Sequence, residues 1–198
     1  MPGARVSINV DLNSFNQQVL ARVMALSSDL TDKAGVRALN KVAAQAKTAA
    51  SREIRAAGYN MKAARIKDRI TVRPATAGNP VAIVRCSGRP IPLVEFSARE
   101  TKAGVTVSVK NGRKAIKGAF IATMPSGHRG VFVRVGKAHK KMMVRGKAAW
   151  HGLPIKELYG PAIPDAFGND VVQQALVRLI KDKYPAILAH EIEFLRRR

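Results

Sequence analysis

One cysteine, Cys86, is the only thiol in 198 residues. An intrachain disulfide is therefore excluded, and nothing points to an oxidising compartment. Cys86 closes the apolar run 81–86 and reads as a small packed residue rather than a nucleophile. Aromatic residues make up only 5% of the chain. The core must then be built from Val, Ile, Leu and Ala, and the stacking platforms that read single-stranded bases are missing. Acidic residues are scarce and dispersed, with no cluster of the kind two-metal nucleases need. The four histidines, His128, His139, His151 and His190, show no zinc-helix spacing, and His190-Glu191 lacks the second His of a metalloprotease signature. The glycine-rich pieces at 127–130 and 135–137 are not followed by the Lys-Ser/Thr of a P-loop, and there is no G-x-S-x-G elbow. Long apolar runs are absent too: none approaches the ~18 residues that span a bilayer. The first ten residues lack a signal-peptide core. No enzyme, metal, cofactor or membrane partner is expected, and synthesis and use in the cytosol are.

What is present in excess is positive charge. Lys and Arg number 35 against 13 Asp and Glu, a formal net charge of +22. Self-repulsion of that size disfavours an isolated compact monomer, and a polyanion or an acidic protein surface would relieve it. Hydrophobic residues reach 46%, enough for a core, so disorder along the whole chain is not expected. The densest basic stretch is 137–147, with Lys137, His139, Lys140, Lys141, Arg145 and Lys147 and no acid. It reads either as a basic loop meeting phosphates or an acidic partner, or as a solvated connection. Any nucleic-acid contact would be electrostatic and blind to sequence.

The order of local patterns predicts an α+β fold in a single domain, with N-terminal helices, a central antiparallel sheet with long loops, and a C-terminal helix. Residues 1–13 read as a strand or extended arm, with alternation over 6–10. A capping box, Ser14 with Gln17, opens a helix whose stripe is Phe15, Val19, Val23, Leu26 and Leu30. A second, Ala-rich helix covers 31–57, with Val36, Leu39, Ala43, Ala46, Ala50, Ile54 and Ala57 inward and Gly58 as its C-cap. Asn60 is expected to cap a short third helix to about 69, which completes a helical part over 14–69. In the β-rich part, 70–164, strands are expected at 70–73, 81–86, 91–96, 105–110, 115–123, 131–135 and 153–158. Asn111-Gly112 marks a hairpin, and 136–152 reads as a long polar connection. Asp165 or Asn169 starts the last helix, with Val172, Leu176, Leu179 and Ile180 inward, a bend or restart at Pro185, and a basic tail, over 165–198.

Several blocks in this order resemble one family. Ala38-Leu39-Asn40-Lys41 through Arg52-Glu53-Ile54-Arg55, Cys86-Ser87-Gly88-Arg89-Pro90-Ile91-Pro92-Leu93, Phe96-Ser97-Ala98-Arg99-Glu100-Thr101-Lys102, Gly118-Ala119-Phe120-Ile121-Ala122, Ser126-Gly127-His128-Arg129-Gly130-Val131-Phe132-Val133-Arg134 and Leu153-Pro154-Ile155-Lys156-Glu157-Leu158-Tyr159-Gly160-Pro161 are similar to the phage minor tail protein Z (tail completion) family and, in the last block, to siphophage neck proteins. The resemblance covers about 31–167. It implies a structural virion protein at the head-proximal end of a tail, needed for head–tail joining and DNA placement. It also implies the tail terminator and the head–tail connector as partners, and a homo-oligomeric ring, for which sixfold symmetry would match a tail and twelvefold a portal, six being the preferred expectation.

Within those blocks Gly127, Gly130, Arg134, Pro154, Gly160 and Pro161 are candidate turn or interface residues. Prolines at 154 and 161 remove backbone donors, which suits a protected edge strand. Lys137, Lys140, Lys141, Arg145 and Lys147 are the candidate face toward packaged DNA or a partner. The rival reading is a sequence-nonspecific nucleic-acid-binding protein of ribosomal or nucleoid type.

Overall fold

The low entropy cost of alanine in a helix is realised in α1, Ser28–Ala56. The structure is a computed structural model and describes residues 4–11, 28–136, 140–144, 147–151 and 154–197. The Ser14 capping box and the stripe from Phe15 to Leu26 lie outside the described residues. α1 buries Ala34, Ala38, Leu39, Val42, Ala43, Ala46, Ala50 and Ile54, whereas Val36 and Ala57 are only half-buried. Its end is a Schellman motif. Gly58 has φ 88°, its N–H donates to the Arg55 carbonyl at 3.0 Å, and the Tyr59 N–H donates to the Ile54 carbonyl at 3.3 Å. The next helix, α2, spans Ala63–Arg69, and its N-cap is Lys62 with no side-chain cap bond. The expected Asn60 cap is therefore corrected: the cap and the helix start lie two residues later, at Lys62 and Ala63.

The chain divides into two compact units, Met1–Arg89 with Ala162–Arg198, and Pro90–Pro161. In the first, β1 (Ala4–Asp11), β2 (Ile70–Arg73) and β3 (Val81–Gly88) form an antiparallel sheet in the order β1-β3-β2. Ile8, Val84 and Cys86 are buried in it, and α1 packs against it. The short α3, Ile163–Phe167, follows the second unit, and Asp165 accepts a hydrogen bond from the Ala162 N–H at 2.9 Å. α4, Asp170–Arg196, is capped by Asn169, whose side chain accepts from the Val171 N–H at 3.2 Å. It buries Val172, Leu176, Ile180, Tyr184, Leu188 and Glu191, one face read at spacings of three and four, and packs along α1. Leu179 is half-buried. Pro185 sits inside α4 without restarting it. Burial of Tyr184 and Leu188 on either side, each contributing roughly 1.5–3 kcal/mol, offsets the lost backbone bond.

In the second unit, β4 (Arg99–Thr101), β5 (Gly104–Val107) and β6 (Lys114–Lys117) make one antiparallel sheet. β7 (Ala119–Thr123), β8 (Arg129–Arg134) and β11 (Ile155–Glu157) make another, in the order β7-β8-β11. Asn111 and Gly112 both take positive φ, 51° and 102°, as the hairpin signal required. Three expectations are corrected. The segment 91–96 is no full strand: it makes one antiparallel bridge, Pro92 to Tyr159, and then runs into a 3-10 turn, Leu93–Glu95. The stretch 115–123 is two strands, broken at Gly118 with φ 68°. The polar connection 136–152 holds an antiparallel pair, β9 (Lys140–Val144) and β10 (Lys147–His151).

Candidate functional site

Three sequence blocks that lie far apart in the chain meet in one backbone ladder of the second unit. The Leu158 N–H donates to the Val131 carbonyl at 2.8 Å, on the β8 side. On the other side the Leu93 N–H donates to the Leu158 carbonyl at 3.1 Å, and the Gly160 N–H donates to the Ile91 carbonyl at 2.8 Å. Residues 158–160 are thus held between 91–93 and 131. Pro154 ends the ladder: it has no N–H to give, but its carbonyl accepts from the Val135 N–H at 2.7 Å. Gly160 is required by contact. A Cβ there would lie 2.6 Å from the ring of Phe96, which is fully buried. Pro161 is half-buried and ends the unit.

A second cluster forms around Glu157. Its Oε1 lies 2.8 Å from Nε2 of His128, and its Oε2 accepts from the Tyr159 hydroxyl at 2.6 Å. The hydrogen bond to Glu157, then burial and the carboxylate charge, raise the Tyr159 pKa. Gly127 closes the preceding turn at φ 81°, its N–H donating to the Met124 carbonyl at 2.8 Å. The Arg134 guanidinium lies 5.2 Å from the Phe120 ring centroid, within cation–π range. Phe120 in turn sits 6.2 Å from Phe132. Among the predicted residues, then, Gly127 and Gly130 flank His128 near one carboxylate, Arg134 caps an aromatic pair, and Pro154 and Gly160 fix the closing segment.

The basic candidates are placed by strand register. Lys140 stands opposite His151, Lys141 opposite Trp150, and Lys147 opposite Val144. Lys137 and Arg145 lie outside the described residues. Residues 90–161 contain fourteen Lys and Arg against three Glu, so this unit is strongly basic in itself.

Two features of the first unit escaped sequence reasoning. Glu191 is fully buried yet ion-paired, with Arg37 Nε at 2.8 Å from its Oε2 and Lys41 Nζ on its Oε1. The bond from Lys41, helped by the charges of Arg37, Lys41 and His190, holds its carboxyl below the usual range against the opposing effect of burial. Arg37 also stacks 5.0 Å from the Phe194 ring centroid. Asn40 binds the backbone of Ala75 twice, donating to its carbonyl at 3.0 Å and accepting from its N–H at 2.7 Å. The only signal for either was an isolated polar residue at a helical position beside an apolar stripe.

Burial pushes the Cys86 thiol up to about 12, so it carries no thiolate near neutral pH. Among the described residues no group of three or more His, Cys, Asp or Glu is placed to hold a metal ion, and no helix is long and apolar enough to cross a membrane.

The family described as prophage minor tail protein Z matches residues 16–198. No curated protein and no solved structure matches the chain.

Proposed function

The chain belongs to the prophage minor tail protein Z family and is a structural protein of a phage tail; from that premise we propose that it completes the tail at its head-proximal end. In this reading it is a neck or tail-top subunit needed for head–tail joining and DNA placement. It is made in the host cytoplasm and incorporated into the virion, with the tail terminator and the head–tail connector as neighbours. Copies associate head to tail in a closed ring, six by the symmetry of tails. It has no catalytic role.

The observation that carries this is the match over 16–198, which takes in every block now found in the ladder of 91–93, 131 and 158–160. The charge supports it. A net +22 is relieved when basic residues face packaged DNA or acidic neighbours, and Lys137, Lys140, Lys141, Arg145 and Lys147 are proposed for that face.

Electron microscopy of lysates from a phage lacking this gene, beside a complemented control, tests the proposal. Filled heads and full-length tails that fail to join, or joined particles with misplaced DNA, are expected. Normal infectious particles would overturn it. The same charge favours a second reading, a sequence-blind nucleic-acid-binding protein. That reading requires tight duplex or RNA binding by the lone chain with steep salt dependence, whereas tail completion requires only weak binding at physiological salt outside the assembled ring.

A further inference from the structure

The outer edge of β7, beside which β4 and β5 also pack, carries unused backbone groups toward Thr123. β7 lies at the end of its sheet, paired on one side only, with β8. The Ile121 N–H points away from β8, because it donates to Oε1 of Glu100 at 2.8 Å. By the alternation of an antiparallel ladder, the N–H and C=O of Thr123 point the same way. Among the described residues the Thr123 N–H and the Ile121 carbonyl have no partner. An open cleft of about 630 Å³ runs beside them, lined by 98–100, 121–123 and Arg129. Arg99 and Arg129 are exposed in it, and neither has an acidic partner among the described residues. Glu100 is the cleft's one acid, already committed to Ile121.

We propose that this edge is a strand-addition site for an extended, acidic segment of a neighbouring virion protein. An unpaired edge takes a strand through main-chain bonds, and flanking side chains choose which one. The two guanidiniums choose carboxylates. A second copy of this chain is disfavoured, because it brings its own excess of Lys and Arg to Arg99 and Arg129. Until the partner arrives, the Glu100 carboxylate occupies the Ile121 N–H and blunts the edge against indiscriminate pairing. The entering strand supplies a carbonyl to that N–H, and its carboxylates lie against the arginines. The inference rests on membership of the tail protein family and not on the tail-completion reading, so a normal deletion phenotype would leave it standing.

The test uses assembled particles with a photoreactive benzoylphenylalanine in place of Thr123, and with the same group in place of exposed Ala115 as a control. Illumination and peptide mapping identify what lies on each position. An adduct at 123 with an acidic, extended segment of another virion protein is expected. Ile121→Pro, which removes the outward N–H but no bond to β8, should lower its yield about tenfold. The double reversal Arg99→Glu with Arg129→Glu, on exposed side chains, should do the same and decides the matter if the proline variant does not fold. No adduct at 123, an adduct only with a second copy of this chain or with a helical surface, or a yield unchanged by the charge reversal would overturn the proposal.

Discussion

Oε1 of Glu157 lies 2.6 Å from where a Cβ on Gly130 would sit. The same Cβ would come 3.0 Å from the Phe132 ring. Any side chain at 130 must displace the carboxylate that holds His128 and Tyr159, or the ring beneath. Gly130→Ala should therefore destabilise the protein by about 1–3 kcal/mol, the usual cost of overpacking. Urea unfolding measures it, and a variant as stable as the parent would show that Glu157 moves aside freely.

Gly160 and Phe96 form a similar pair, and here a partner can be shortened. Gly160→Ala alone should cost about 1–3 kcal/mol, because Phe96 is enclosed and cannot retreat. Combined with Phe96→Leu, the alanine should cost less than it does alone, since contacting residues are not additive. Purely additive melting shifts in the four-member cycle would contradict the contact.

Asn40 and Ala75 give a cleaner hydrogen-bond test. Asn40→Ala leaves the N–H and C=O of Ala75, itself buried, without their partner. The expected loss is about 1–3 kcal/mol. Asn40→Asp keeps the acceptor and loses the donor, so it should fall between the two. Chemical denaturation of the three proteins orders them.

Glu191 predicts a dependence on pH. Its pKa is lowered in the folded chain, first by the bond from Lys41, so the native state binds this proton less readily than the unfolded one. The stabilisation is complete above the unfolded value of about 4.3 and drains away as pH falls below it toward the folded value. Glu191→Gln should lower the melting temperature at pH 7 and flatten its decline below about pH 4.3. Parallel curves for the two proteins across acid pH would refute the linkage.

For the basic pair of strands, replacing Lys137, Lys140, Lys141, Arg145 and Lys147 together by Glu should leave circular dichroism and melting little changed. Particle assembly or DNA retention should fail. Parental phage yield from that mutant would remove these residues from the proposed face.

The elements set by local chemistry were legible in the sequence. Gly58 predicted the end of α1, Asn111-Gly112 the turn between β5 and β6, and the spacing of Val172, Leu176 and Ile180 the inward face of α4; of the two starts read for that helix, Asn169 caps it and Asp165 belongs to the separate α3. Misreadings arose where tertiary context or composition overrode a local signal. Asn60 has a capping side chain, but the chain turns tightly about it, the Met61 N–H donating to the Tyr59 carbonyl at 3.0 Å, and Lys62 takes the cap position. The apolar 91–96 stops at one bridge, Pro92 to Tyr159, before its 3-10 turn. The charge density of 137–147 hid two short apolar runs. The blocks of the candidate site were recognisable as a set, but not their contacts. No pattern in sequence says that Gly160 faces Phe96, that Glu157 lies over Gly130, or that Glu191 rather than Glu193 of the C-terminal helix will find Arg37 and Lys41.

Because the first unit is completed only by its last segment, the order of synthesis leaves α1 waiting. Its alanine-lined face emerges from the ribosome with Ala56, while its partner α4 begins at Asp170. At ribosomal rates of roughly 5–20 residues per second, that delay lasts roughly 6–23 s. Every strand of the second unit is finished in the interval. Arg37 and Lys41 stay hydrated through it, a charged fringe that keeps the nascent helix from sticking to its neighbours. Glu191, made after them, then ion-pairs with both, so the same three side chains serve first as a solubiliser and then as a latch.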